Sequence, residues 1–165
     1  MKLPDAEQLL LSLAERLNSV IRPDTALIGL HSGGAWIVER LIPMLNSPLP
    51  HGVLDSSFYR DDFNQRGLHA EPKPSHIPFE VKDRHIVLID DVFYTGRTIR
   101  AAMNELFDYG RPASITLAVL VNRGGRELPI CPQISAYDCQ LTPQQNLQLL
   151  RRDDGSFYLQ LEEPN

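Results

Sequence analysis

Cysteine is nearly absent from this sequence. Cys131 and Cys139 are the only two, separated by seven residues with no second pair nearby, which removes a disulfide scaffold and a four-ligand zinc site and leaves free thiols in a reducing compartment. Long apolar runs are missing as well: none approaches the ~20 residues that span a bilayer. The opening Met1-Lys2-Leu3-Pro4-Asp5-Ala6-Glu7 carries acids where a secretory leader has its apolar stretch. The expectation is a cytoplasmic protein with no membrane partner. Lysine is scarce too. Lys2, Lys73 and Lys82 are the only lysines among 16 basic residues, and the arginines that remain are the side chains suited to forked recognition of phosphate and carboxylate. Net positive charge is also lacking, at −5 with a pI near 5.5, so the average surface does not attract nucleic acid. A local basic patch is left open, and Arg16, Arg22, Arg40, Arg151 and Arg152 are its candidates.

What is present is ordinary for a globular chain, with 42% hydrophobic and 22% charged residues. The 165 residues suit one domain over 1–165 with a sizeable core. Leu9, Leu10, Leu13, Leu17 and Val20 fall at helical spacing and predict a helix over 5–21. A short buried strand at 26–30 leads through His31-Ser32-Gly33-Gly34 into a second helix over 35–45, closed by Asn46-Ser47-Pro48. A weaker strand is expected over 53–59. The stretch of about 60–82 has prolines, charges and no period, and a loop that long inside a compact domain is usually functional. Strand, helix and strand then alternate over 86–89, 97–109 and 115–121. After a turn at Gly124-Gly125 and Pro129, 134–137 reads as a strand, and the alternation of Leu147/Leu149 and Phe157/Leu159/Leu161 reads as edge strands. Such alternation predicts an α/β fold, a twisted and mostly parallel sheet with helices on both faces.

The chain is organised around Ile86-Val87-Leu88-Ile89-Asp90-Asp91-Val92-Phe93-Tyr94-Thr95-Gly96-Arg97-Thr98. A buried strand ends in two acids, and a tight turn then opens a helix. At the carboxyl end of a parallel strand such a turn presents the first N–H groups of the helix and the positive end of its dipole, an anion site. Thr95 and Thr98 add hydroxyls, and Gly96 lets the backbone approach closely. Asp90 and Asp91 would repel that anion but accept hydrogen bonds from vicinal hydroxyls. A ribose 5-phosphate satisfies both halves.

These thirteen residues resemble the 5-phosphoribosyl-1-pyrophosphate (PRPP) signature of type I phosphoribosyltransferases. An acidic receiver pocket also follows a strand with two acids, but it would place them near the N-terminus. The flanks narrow the resemblance. Tyr59-Arg60-Asp61-Asp62, the central stretch, Gly110-Arg111-Pro112-Ala113-Ser114-Ile115 and Arg123-Gly124-Gly125-Arg126-Glu127-Leu128-Pro129-Ile130 look like the PyrR family over about residues 54–136. That resemblance implies the type I phosphoribosyltransferase fold, with a flexible loop over the site at about 60–82 and a small hood or base-recognition segment at about 122–137. It implies a bifunctional protein. One activity converts uracil and PRPP to UMP and pyrophosphate; the other is nucleotide-responsive regulation of pyrimidine biosynthesis genes. Mg²⁺ would come carried with PRPP near Asp90 and Asp91 rather than on dedicated metal ligands. The implied partners are PRPP, uracil, UMP or UTP, a second copy in a homodimer or larger assembly, and pyrimidine operon RNA, the last left open by the negative net charge.

Residue by residue, the resemblance makes Asp90, Asp91 and Arg60 catalytic. It gives the 5-phosphate to Tyr94, Thr95, Gly96, Arg97 and Thr98, the pyrophosphate to His31, Ser32, Gly33 and Gly34, and uracil to Asn122, Arg123 and Arg126. Tyr94 stands where purine enzymes carry a carboxylate facing the base, which favours a pyrimidine and disfavours a purine phosphoribosyltransferase. Two departures bear on activity. His-Ser-Gly-Gly replaces Lys-Thr-Arg-Gly in the pyrophosphate loop, and Asn-Arg-Gly-Gly replaces Asp-Arg-Gly-His near the base. The alternative expectation is therefore a catalytically weak PRPP- or UMP-sensing regulator.

Overall fold

The computed structural model describes residues 1–55 and 75–164. At its centre lie five parallel strands, β1 (Thr25–Leu30), β2 (His51–Leu54), β3 (His85–Phe93), β4 (Ser114–Asn122) and β5 (Ile134–Asp138), in the order β2-β1-β3-β4-β5. All six residues of β1 are buried, as a strand covered on both faces requires. Alternation along the strands divides the core in two. Leu27, Val87, Ile89 and Leu120 face α1 (Ala6–Asn18) and α2 (Gly33–Leu41), while Ile28, Ile86, Leu88 and Val119 face α3 (Arg97–Tyr109). Helices therefore cover both faces, as the repeated alternation predicts.

Local chemistry starts and stops these helices. Asp5 caps α1 by accepting the Glu7 N–H at 2.8 Å, and Leu10, Leu13 and Leu17 are at most 1% exposed. Each such leucine contributes about 1.5–3 kcal/mol of burial. Gly110, at φ 147, ends α3 where the sequence places its stop. Helix α2 begins two residues earlier than the spacing suggests and passes through a 3-10 turn at Ile42–Met44.

Three expectations shift. The second strand is His51–Leu54 rather than 53–59, and positions 56–59 lie outside the described residues, as does Arg60. Of the loop expected over 60–82, residues 75–82 are docked: His76 exchanges backbone hydrogen bonds with Val53 at 2.8 and 2.9 Å, and Val81 is fully buried. The two tail strands, β6 (Asn146–Arg151) and β7 (Phe157–Glu162), are no edges of the main sheet. They pair with each other as an antiparallel ribbon. Leu147, Leu149 and Phe157 turn into the core shared with α1 and α2, and this burial rather than strand pairing docks the ribbon. Glu7 fastens it further, accepting from Arg40 at 2.6 Å and from the Phe157 N–H at 3.0 Å. Within 122–137, the residues from Ile134 onward belong to β5 of the main sheet.

Candidate active site

The sheet order reverses between β1 and β3. The loops leaving their carboxyl ends diverge there, and the crevice between them is where open α/β sheets take ligands. At the end of β3 Asp90 is 7% exposed. Its Oδ1 accepts the Asp91 N–H at 2.9 Å, and Asp91 Oδ1 accepts the Val92 N–H at 2.7 Å. Each carboxylate is thus oriented by the backbone just beyond it.

The chain then turns into α3 through Gly96 at φ 96, a left-handed conformation that favours glycine. A Cβ there would meet only ordinary contacts, the nearest at 3.5 Å, so the angle and not the space demands glycine. The cap position Gly96 has no side chain to offer α3, and Thr95 Oγ1 accepts the first helical N–H, that of Arg97, at 3.2 Å; the dipole end favours an anion. The turn is pinned from behind. Thr95 O accepts the N–H groups of Glu127 and Leu128 at 2.9 and 3.3 Å, and Arg97 Nε pairs with Glu127 at 2.9 Å.

The β1 loop has a different character. A Cβ on Gly33 would lie 2.2 Å from Asp91 Oδ2, and one on Gly34 would lie 2.2 Å from the Ile89 carbonyl oxygen. These glycines bring the first turn of α2 against the acidic end of β3. At the end of β4, Arg123 is 4% exposed and stacks over the Tyr94 ring at 3.8 Å. Asn122 is taken up locally, its Oδ1 accepting the Gly124 N–H at 3.3 Å and its carbonyl accepting the Cys139 N–H at 2.9 Å. Burial pushes the Cys139 thiol above its ordinary pKa, with Arg123 opposing and Asp138 adding to the rise.

A cleft of about 550 Å³ joins these ends. It gathers Ser32, Gly33, Asp91, Tyr94 and Arg123 from the sequence-derived set. His31 lines a neighbouring hollow of about 440 Å³ instead, with Glu39, His51 and Arg151. Thr95, Gly96, Arg97 and Thr98 form the turn beyond Tyr94, and Arg126 is exposed on the following loop. Sequence reasoning missed the remaining walls, which are Trp36 on α2, Val92 on β3 and Asn146, Leu147, Gln148 and Leu149 on β6. Trp36 separates the two hollows and carries Arg151 over its ring at 4.5 Å. Its being the sole tryptophan, one turn into the helix after the glycine loop, was the available signal. For β6 the alternation announced a strand but not its neighbour.

Among the described residues no three His, Cys, Asp or Glu side chains gather as a metal site, and no helix is long and apolar enough to cross a membrane. Residues 3–146 match the phosphoribosyl transferase domain family. The chain is 49% identical over 154 residues to a bifunctional protein PyrR of Nitrosococcus oceani, covering 92% of this chain and 87% of that protein. It is 48% identical over 153 residues to one of Pseudomonas savastanoi pv. phaseolicola, covering 90% of each. In fold it is similar to a hypoxanthine-guanine phosphoribosyltransferase of Bacillus anthracis, with a TM-score of 0.66 at 14% identity over 88% of this chain and 85% of that one. It is likewise similar to the Leishmania tarentolae enzyme in complex with GMP, with a TM-score of 0.64 at 17% identity over 86% of this chain and 82% of that one.

Proposed function

The chain belongs to the phosphoribosyltransferase family and, within it, to the bifunctional PyrR proteins, and from that premise we propose that its cleft converts uracil and PRPP to UMP and pyrophosphate and reports nucleotide level to pyrimidine gene expression. The observation that carries this reading is the single cleft in which Asp91, the β1 loop and Tyr94 meet, next to the start of α3. The first turn of α3 and the hydroxyls of Thr95 and Thr98 hold the 5-phosphate. Asp90 and Asp91 accept from the ribose hydroxyls, which leaves C1 facing the cleft. There the C1–O bond to pyrophosphate breaks as a bond to the uracil nitrogen forms, and the proton of that nitrogen passes to the released pyrophosphate. Mg²⁺ commonly keeps its waters and takes one or two carboxylates beside substrate phosphates. Asp90 and Asp91 would fit a metal that arrives with PRPP, and it would neutralise charge on the departing pyrophosphate. Arg60 is the cation proposed to meet that pyrophosphate, and it lies outside the described residues.

Tyr94 supports uracil over a purine, because a phenol stacked beneath a guanidinium cannot serve as the carboxylate partner of a purine ring nitrogen. A second reading, a nucleotide sensor of low turnover, is favoured by the β1 loop, which has neither of the expected cations and no space at Gly33 for one. One assay separates them: protein, PRPP and Mg²⁺ with labelled uracil, hypoxanthine or orotate. Conversion of uracil alone supports the enzyme. UMP binding with negligible conversion supports the sensor, and conversion of hypoxanthine overturns the assignment of the base. Regulation follows from UMP or UTP filling the same cleft, and a mobility shift with pyrimidine leader RNA, with and without UMP, tests contact with RNA. Assembly as a homodimer or larger is checked by sedimentation.

A further inference from the structure

Arg123 ends β4 with 4% of its surface exposed, and its guanidinium is used within the chain. One terminal nitrogen donates to the Gln145 carbonyl at 2.8 Å and the other to the Thr142 carbonyl at 2.7 Å. The group lies 3.8 Å from the centre of the Tyr94 ring, and Nε is buried without a partner. Three separated stretches meet at this one side chain: the end of β4, the turn after β3 and the lead-in to β6. All three reach the cleft, since Arg123 and Tyr94 line it and β6 begins lining it at Asn146, one residue past Gln145. Gly125 hems in the same ring, because a Cβ there would come within 2.5 Å of Tyr94 Cε2. A lysine keeps the charge but not the planar fork that reaches both carbonyls while lying flat on the ring.

We infer that Arg123 is a positioning residue for base recognition: its terminal nitrogens are spent on the two carbonyls, and through them it fixes Tyr94 against the start of β6 and so sets the gap in which the pyrimidine lies. The inference rests on the nucleotide reading of the cleft. Its test uses calorimetric binding of UMP, which carries the base, and of ribose 5-phosphate, which does not. The proteins are the unaltered chain, Arg123→Lys, Tyr94→Ala, Tyr94→Phe and the double variant Arg123→Lys/Tyr94→Ala. Arg123→Lys should weaken UMP by roughly tenfold or more, the scale of one lost charge-assisted hydrogen bond, and should move ribose 5-phosphate by less than about twofold. Tyr94→Ala should weaken UMP by at least as much, and by more than it weakens ribose 5-phosphate, and Tyr94→Phe should recover most of the UMP loss because the ring remains. The double variant should bind no worse than the poorer single, since both changes break one linkage. Equal weakening of both ligands by Arg123→Lys, or additive losses in the double variant, overturns the inference while leaving the nucleotide site intact. An unaltered protein that binds neither ligand overturns the reading of the cleft and this inference with it. Should Arg123→Lys fail to fold, Tyr94→Ala against Tyr94→Phe decides, and equal UMP affinity in those two overturns the role given to the ring.

Discussion

At the end of β1, Gly33 and Gly34 have no room for a methyl group. At the end of β3, Gly96 has the room and lacks only a backbone angle that other residues adopt readily. Both loops open a helix at the carboxyl edge of the same parallel sheet, and both were assigned to anionic parts of one substrate. The β3 turn is an unfilled helix end, pinned from behind by Glu127 and left open in front. The β1 loop is filled by the molecule itself, its glycines letting α2 press on Asp91 and Ile89. Two loops of similar composition thus divide the work. One opens a helix with room beside its glycine, while the other packs its glycines against Asp91 and Ile89. The missing cations of His31-Ser32-Gly33-Gly34 cannot be restored by an arginine at Gly33, because its Cβ would displace the Asp91 carboxylate.

The largest effect expected from this contrast is on stability. Gly34→Ala sets a methyl group against the backbone oxygen of Ile89 and should cost about 3 kcal/mol, the upper range of overpacking. Gly96→Ala should cost about 1–2 kcal/mol for its left-handed angle alone. Urea midpoints of the two variants measure the difference, and the reverse ranking would erase the distinction between the loops.

Next in size is ligand binding at the β3 turn. Thr98→Val removes one hydroxyl donor to a charged acceptor and should weaken UMP by about 1.5–3 kcal/mol, with the melting temperature unchanged. Asp91→Asn should likewise fold normally and bind UMP far more weakly. Cooperative loss of folding in Asp91→Asn would make that carboxylate a structural support of α2 rather than a ribose ligand. Titration calorimetry beside thermal melting reads both outcomes.

A smaller effect is expected from charge at the β1 loop. His31→Lys adds a cation there without touching Asp91, because His31 lies in the neighbouring hollow. One charge-assisted contact of about 1.5 kcal/mol should raise uracil turnover by about tenfold, more than it tightens UMP. Brisk turnover before the change, with no gain after it, would mean that the loop backbone handles pyrophosphate unaided.

The smallest effect lies further along α2, where Arg40 holds Glu7 and keeps the carboxyl below its ordinary pKa, chiefly through their hydrogen bond. The stabilisation is therefore present above the unfolded-state value and is lost as the pH falls through the depressed folded value. Glu7→Gln should lose about 0.5–1 kcal/mol near neutral pH, an estimate held low because the pair is partly solvated. The two proteins should converge in acid, once the pH has fallen below the depressed folded value. UMP affinity should stay the same, which separates the anchoring of α2 from the site it supports.

Most of the sheet, the helix over 97–109 with its stop at Gly110, and the acid-then-turn stretch were legible because each depends on neighbours in the chain. The alternation of β3 and β4 side chains between the two core faces follows from side-chain period, and the Gly96 turn follows from an angle glycine adopts easily. The tail was harder. Leu147, Leu149 and Phe157 announced strands, but nothing local says whether a strand joins the main sheet or pairs only with its own hairpin. That choice depended on the apolar surface left open by α1 and α2.

By itself, then, the sequence determined that a strand end, two acids and a helix start lie together, since all three fall within thirteen consecutive residues. Only the tertiary structure decided what walls the cleft beside them. Trp36, Tyr94, Arg123 and Asn146–Leu149 come from four stretches with no shared period, and the stacking of Arg123 on Tyr94 depends on the β3–β4 register, which pairs Phe93 with Asn122, and on where the ribbon docks. Only the tertiary structure showed, too, that Gly33 and Gly34 serve close packing, because their letters are those of any flexible loop. The space beside a glycine is set by whatever folds against it.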